Sequence, residues 1–344
     1  MRVVLLALLT VLVATAAGAV TISVPDEELE ITEIQEAVNL AEPGDTILVY
    51  PGTYDSVRAY PTPIGAKGAI VCIQEDVTLL GMGMERDDVI VDYRDAEYGI
   101  IFMGVGRDAT ISNLLVLGGD ITRGGPVPEG DPRFLTAGIG CLDAASPTIR
   151  DVDVESGASG IIVRTHSGNS APLIEGVGVA RGSHHGIYVY ENGTESADIN
   201  RCTVVDNFDY GIYLHSGEAT VKNSAVTHNG KYGLMTYLSD MSVSYCNVYW
   251  NDQMFPDPDL GARNYGGGLD DLTGIDGNIS AEPYYCDFSG GAGYDYHVCI
   301  SDPVSPNYMA GEGGITIGAY GAACTGCESP VEATSWGAIK ALYR

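Results

Sequence analysis

The sequence predicts an all-β chain wound as a single-stranded, right-handed parallel β-helix (a solenoid), and three observations predict it. Between Gly138 and Asn251 one pattern returns about every 22 to 26 residues, a period that marks stacked structural repeats. Each unit opens with glycine and an apolar residue: Gly138-Ile139, Gly160-Ile161, Gly186-Ile187, Gly211-Ile212 and Gly233-Leu234. Each then carries a second short run: Ile149/Val152/Val154, Ile174/Val177/Val179, Ile199/Cys202/Val204, Val221/Ser224/Val226 and Val243/Cys246/Val248. These runs are far too short for helical repeats. Stacking coils at a strand spacing of about 4.8 Å lays like residue on like.

The units close with Gly157, Gly182, Asn207, Asn229 and Asn251. Glycine and asparagine most readily take left-handed turn conformations, so these positions are expected to turn the chain. Before the repeat, residues 1–19 read as a signal peptide. Arg2 gives the positive start, Val3 to Val13 a short apolar run, and Ala17-Gly18-Ala19 a small-x-small cleavage site. That run is too short to span a bilayer, so no membrane insertion is expected after signal removal. Thr32 to Gln35 forms a capping-box pattern opening a helix to about Ala41, with Ile34, Val38 and Ala41 as its apolar stripe. This helix is expected to cap the first coil, whose core and strand edges would otherwise be open.

Less regular early coils follow at Val77-Leu80, Val89-Val91, Gly99-Phe102 and Ile111/Leu114/Val116. A Gly/Pro-rich insertion over about 118–137 interrupts the period as a surface loop; it either walls a groove or plays no part. From about 252 to 325 the pattern fades into a loop-rich closing region, an irregular C-terminal cap with Ile315 to Ala319 as a possible last strand. The expected organisation is thus a signal peptide over 1–19, a β-helix domain over 20–325 and a basic tail over 326–344 that either docks or serves as an address.

The helix followed by the text PGDTILVYPGTY resembles the opening of many secreted β-helix proteins. With the coils, it makes the chain over roughly 32–325 similar to the pectin-lyase-like superfamily of right-handed parallel β-helix proteins. That resemblance implies an exported protein (secreted, periplasmic or at the cell surface) whose partner is a polysaccharide. It does not fix an activity, because one fold hosts many functions. The Asn-Thr-Asp, Asp-Asp, Gly-His-Gly and Arg-Ile-Lys set of polygalacturonases is missing. Tyr210 to His215 resembles the Tyr-Gly-Phe-Asp-Pro-His stretch of alginate epimerases, with Tyr213 in place of Asp.

Composition narrows the partners. The net charge is −29 with only 17 Lys and Arg, which argues against nucleic acid and anionic lipid. A monomer is expected. Tyr outnumbers Phe by 21 to 5, favouring aromatic surface with a polar rim. Of eight Cys, Cys72, Cys141, Cys202 and Cys246 fall at apolar strand positions as small buried hydrophobes. Cys286, Cys299, Cys324 and Cys327 fall in the closing region, where one or two disulfides are expected.

Strand alternation turns two columns outward. One holds Gly140, Ile162, Tyr188, Tyr213 and Met235; the other holds Leu142, Arg164, Tyr190, His215 and Tyr237. His166 and Glu191 end their strands. Tyr188, Tyr190, Tyr213, Tyr237, His166 and Glu191 are the candidate substrate-binding residues, since a phenol ring offers a sugar a flat face and a hydrogen-bonding rim. The same ladder would also stabilise a sheet with no ligand.

On the flanking turns, Ser183-His184-His185, Asp206 to Asp209 and His228 to Lys231 occupy matching points of successive coils. If the protein cleaves a uronate polymer by elimination, His215, a Tyr or Lys231 is the base, and Arg164 or a bound cation neutralises the carboxylate. A hydrolase would instead use Asp206 and Asp209 as paired carboxylates. No metal site is assigned. Ca2+ is considered only for the Asp257/Asp259 and Asp270/Asp271/Asp276 stretches. Asn192 and Asn278 begin glycosylation sequons. The leading expectation is a protein that binds an extracellular polysaccharide, with cleavage left open; the alternative is a non-catalytic surface or adhesion scaffold.

Overall fold

A computed structural model describes residues 19–119, 136–166, 168–252, 263–287, 295–301 and 303–325. The segment before Ala19 expected to be a signal peptide, most of the insertion, Asp257, Asp259, Cys327, the tail and the Glu191 side chain lie outside the described residues.

The chain is a parallel β-solenoid of about 11 turns, right-handed and nearly all-β. Three faces surround one core. The first runs from the Gly65–Ile73 strand through Tyr98–Met103, Ala137–Leu142, Ser159–Arg164, Ile187–Glu191 and Ile212–Leu214 to Leu234–Thr236. The second face climbs from Thr21–Val24 to Ser239–Ser244, and the third from Gly52–Tyr54 to Asn247–Tyr249.

Like residues do sit on like. On the first face Val71, Ile100, Ile139, Ile161, Ile187, Ile212 and Leu234 pair in register. On the third, Val91, Val116, Val154, Val179, Val204, Val226 and Val248 do the same. All these side chains are buried in one continuous core.

The repeated glycine has a steric reason. A Cβ on Gly186 would stand 2.3 Å from Val204 Cγ1 and 2.7 Å from the Gly211 carbonyl. The turn from the third face to the first therefore passes too close to the valine column for any side chain.

At the closing turns the structure corrects the expectation. Gly157 is left-handed as expected, but at the other four turns the left-handed residues are Arg181, Asp206, His228 and Trp250, each one place before Gly182, Asn207, Asn229 and Asn251. The three asparagines are buried and stack as a ladder. Asn229 Oδ1 accepts from the backbone N–H of Asn207 at 3.1 Å, and Asn251 Oδ1 accepts likewise from Asn229 at 3.1 Å. Ser224, the polar exception between Cys202 and Cys246, works the same way: its Oγ accepts from the Cys202 N–H at 3.1 Å.

The helix Ile34–Leu40 starts one residue later than the pattern suggests. Glu36 Oε2 accepts from the N–H groups of Thr32 and Glu33 at 3.0 and 3.1 Å. Gln35 guards a strand edge, its amide bonding both the N–H and the C=O of Cys72 at 2.6 and 3.3 Å. An unpaired edge of this kind is otherwise a template for unwanted pairing.

The closing region is more regular than expected. Leu269 and Leu272 pack on the end of the core, and the chain then folds back along the third face. Strands Tyr285–Asp287, Asp295–Cys299 and Ala322–Cys324 form a small sheet there, packed on Ala180 and Val205. Among the described residues the last strand is Ala322–Cys324, not Ile315 to Ala319. Cys286 and Cys324 are disulfide-bonded, while Cys72, Cys141, Cys202 and Cys246 are buried free thiols. Among the described residues no helix is long and apolar enough to cross a membrane.

Candidate functional site: an aromatic wall beside a buried His/Asp/Lys cluster

The outward side of the first face changes character along the solenoid. Over the early coils it is apolar and covered: Cys72, Tyr98, Ile101, Met103, Leu142 and Ile162 are buried, with Tyr60 and Ile64 packed against them. From the Ile187–Glu191 strand onward it becomes aromatic, basic and half-exposed. Tyr188 belongs to the covered part. It is 2% exposed, so its ring is not a surface platform; the ladder above it has closed over it.

Three aromatic columns make up the wall. In the middle, Tyr188 and Tyr213 stack in register, centroids 5.1 Å apart and 9° from parallel. Toward the strand ends, the Arg164 guanidinium lies 4.9 Å over the Tyr190 ring. The next coil places His215 against the other side of Tyr190, at 4.9 Å, and Tyr237 follows at 5.1 Å. The backbone register shifts between Val163 and Arg164, so Arg164 pairs with Glu191 rather than Tyr190. Side-chain stacking nevertheless keeps the expected order. His166 is exposed beyond the strand end, outside the ring contacts of the described residues.

A third column sits on the residues just before each repeat's glycine. His185 stacks on Tyr210 at 5.1 Å, and Tyr210 meets Tyr232 at 6.1 Å. Lys231 lies 5.5 Å over Tyr210 and Arg263 lies 5.6 Å over Tyr232. His185 also meets Tyr188 and Tyr213 edge-on, which joins this column to the middle one. One position before the glycines, His185, Tyr210 and Tyr232 carry the same period as the outward columns. Arg263 had no such signal, because it lies beyond the last regular repeat.

Of the turn residues, His184, Asp209 and Lys231 meet beside this column, whereas His228 packs against Tyr249, Trp250 and Tyr285. Asp209 accepts from His184 Nδ1 at 2.8 Å through one carboxylate oxygen and faces Lys231 Nζ at 2.6 Å through the other. Desolvation raises the Asp209 pKa, but the His184 and Lys231 bonds outweigh it and hold it below the usual carboxylate range. Burial pushes the His185 imidazole down to about 3, with Asp209 opposing. Asp206 behaves differently. Desolvation pushes it up to about 7, against the pull of Arg181.

Asp206 and Asp209 therefore answer to different charges, Arg181 for one and the His184/Lys231 pair for the other. Among the described residues the one group with metal-ligating geometry is His184, His185 and Asp209. Asp270, Asp271 and Asp276 are exposed. Neither sequon offers its amide: Asn192 and Asn278 are buried and bonded to backbone within the coils. A hollow of about 460 Å3 lined by Pro61, Thr62, Pro63, Gln74 and Asp143 shares no residue with the columns.

Residues 92–248 match the family model described as right handed beta helix region. No curated protein matches the sequence. Among solved structures, pectate lyase Pel9A is similar at 12% identity, covering 72% of this chain and 58% of that one, with a TM-score of 0.41. Escherichia coli ybhc is similar at 14% identity, covering 72% and 69%, with a TM-score of 0.31. The chain thus spans less than two-thirds of the pectate lyase. With three parallel faces in register around one core and a right handed beta helix model matched over residues 92–248, the chain folds as a right-handed parallel β-helix.

Proposed function

We propose that this protein is exported and binds an acidic extracellular polysaccharide along the outward wall of its first face. One observation carries the reading: three cations, Arg164, Lys231 and Arg263, each lie on a tyrosine ring of that wall, in a protein of net charge −29. Tyrosine faces suit the apolar faces of sugar rings, and a guanidinium held beside them suits a uronate carboxylate. The strongly acidic remainder of the surface would repel a polyanion everywhere else.

Binding is better supported than cleavage. Arg164 and His215 flank Tyr190 from opposite sides, so a neutraliser and a base drawn from them would act on different sugar units. Lys231 is engaged by Asp209. The test is to incubate the purified protein with pectate, alginate and a neutral glucan. Bound polymer, unsaturated-uronate absorbance and new reducing ends are then followed. Salt-sensitive binding of the acidic polymers without the glucan is the expected result. No binding to any polymer would leave the wall as a sheet-stabilising ladder on a surface scaffold. That alternative has its own support in the burial of Tyr188.

A further inference from the structure

We infer that His184, His185 and Asp209 form a binding site for a divalent transition-metal ion, with Zn2+ the best match. One donor atom of each lies within 4.8 Å of the other two, and all three residues are buried. Two imidazoles and a carboxylate are the ligand set of first-row transition metals, whereas Ca2+ and Mg2+ call for oxygen alone. Donors around one tetrahedral Zn2+ stand about 3.4 Å apart, given bond lengths near 2.1 Å, so the trio must draw in by side-chain rotation.

The frame that would hold them is rigid. Asp209 N–H bonds the His184 carbonyl at 2.8 Å, Phe208 N–H bonds the Gly182 carbonyl at 2.9 Å, and Asn207 Oδ1 accepts from Gly182 N–H at 3.0 Å. The His185 ring rests against Tyr210, centroids 5.1 Å apart. The turns that carry the trio are thus tied coil to coil by backbone bonds.

Lys231 is the built-in competitor. Its Nζ holds one Asp209 oxygen at 2.6 Å, and its side chain is 37% exposed. A flexible lysine at that position can swing into water, which opens the carboxylate to an arriving ion and removes the like charge. Binding exchanges the ammonium and the His184 hydrogen bond for bonds to the metal. A purely structural Asp209 ion-pair network would show no such exchange.

Untagged full-length protein, stripped with EDTA and dialysed, is titrated with ZnCl2, CoCl2 and CaCl2 by calorimetry, with visible absorption recorded for Co2+. One equivalent of Zn2+ should bind, Co2+ should give the intense d–d bands of a low-coordinate site, and Ca2+ should give no heat. His185→Ala and Asp209→Asn should weaken Zn2+ at least tenfold, and Lys231→Met should tighten it severalfold. His297→Ala, which alters the surface His297/Asp295 pair, should change nothing. Circular dichroism checks that each variant folds. Should Asp209→Asn unfold, Lys231→Met and the Co2+ spectrum decide. The inference is overturned if the folded wild type binds no stoichiometric Zn2+, or if His185→Ala and Lys231→Met leave the affinity unchanged. Glycan binding is assayed separately, so either conclusion can fail without the other.

Discussion

Asn229 shows how much one side chain does inside a coil stack. It accepts from Asn207 N–H and Nδ2, and donates to Val204 O, Thr227 O and Asn251 Oδ1. Replacing it by alanine leaves several buried donors and acceptors unpaired, each costing about 1–3 kcal/mol. Asn229→Ala should therefore lower unfolding stability by about 3 kcal/mol or more in a denaturant titration; a change under about 0.5 kcal/mol would refute the ladder. The neighbouring Asp206 makes a pH prediction. Its ordinary value is 3.8 and burial lifts it to about 7. The folded chain thus holds a proton that the unfolded chain has lost across that window. Its contribution is full below 3.8 and disappears as pH rises through about 7. Asp206→Asn removes the titration and keeps the left-handed backbone, which asparagine tolerates. The variant's melting temperature relative to wild type should climb between pH 4 and pH 8, and a flat difference would contradict the assignment. His228, pushed down to about 3 by burial, acts with the opposite sign. The stability it gives is present above its ordinary 6.5 and is lost as pH falls toward 3.

At the scale of elements, the closing segment is held on the third face by few but specific contacts. Tyr320 OH donates to Asp153 at 2.7 Å, Arg86 bonds Asp153 at 2.7 Å and covers the Tyr320 ring, and Cys286–Cys324 closes a span of 38 residues. A loop of that length is constrained by about 4 kcal/mol in the chain-entropy view. Replacing both cysteines by alanine should lower stability by up to that amount and raise amide exchange first in the Tyr285–Cys324 segment. Exchange rising first in the valine columns would mean that the segment is part of the core cooperativity. This element was the least legible in the sequence. Tyr285, Tyr296 and Tyr320 carry no period, and they meet only because the chain folds back. The coils were legible because each repeat buries the same positions: the Ile187 and Val204 slots could be read directly. Gly186 was legible as a marker but not as a reason, since its cause is a valine Cγ1 contributed from another face. Gly157 was placed correctly, but the other left-handed turn residues were misplaced by one, because Asn207 looked like a turn former while its amide was needed inside.

For the molecule as a whole, the candidate site is half legible. Alternation placed Tyr190, His215 and Tyr237 in one outward column, and the repeat placed His184, Asp209 and Lys231 on adjoining turns. What alternation cannot tell is how far a face is covered, so Tyr188 was expected at the surface and is buried. Nor can it find Arg263, which reaches Tyr232 from outside the regular repeat. The outcome is a solenoid whose one aromatic, basic wall stands against an acidic surface. The most direct test of that arrangement is a calorimetric titration of an oligouronate into wild type and the double variant Tyr190→Ala/Tyr237→Ala. The account predicts affinity at least tenfold weaker in the variant, with the unfolding transition nearly unchanged. Equal affinity in the two proteins would contradict it.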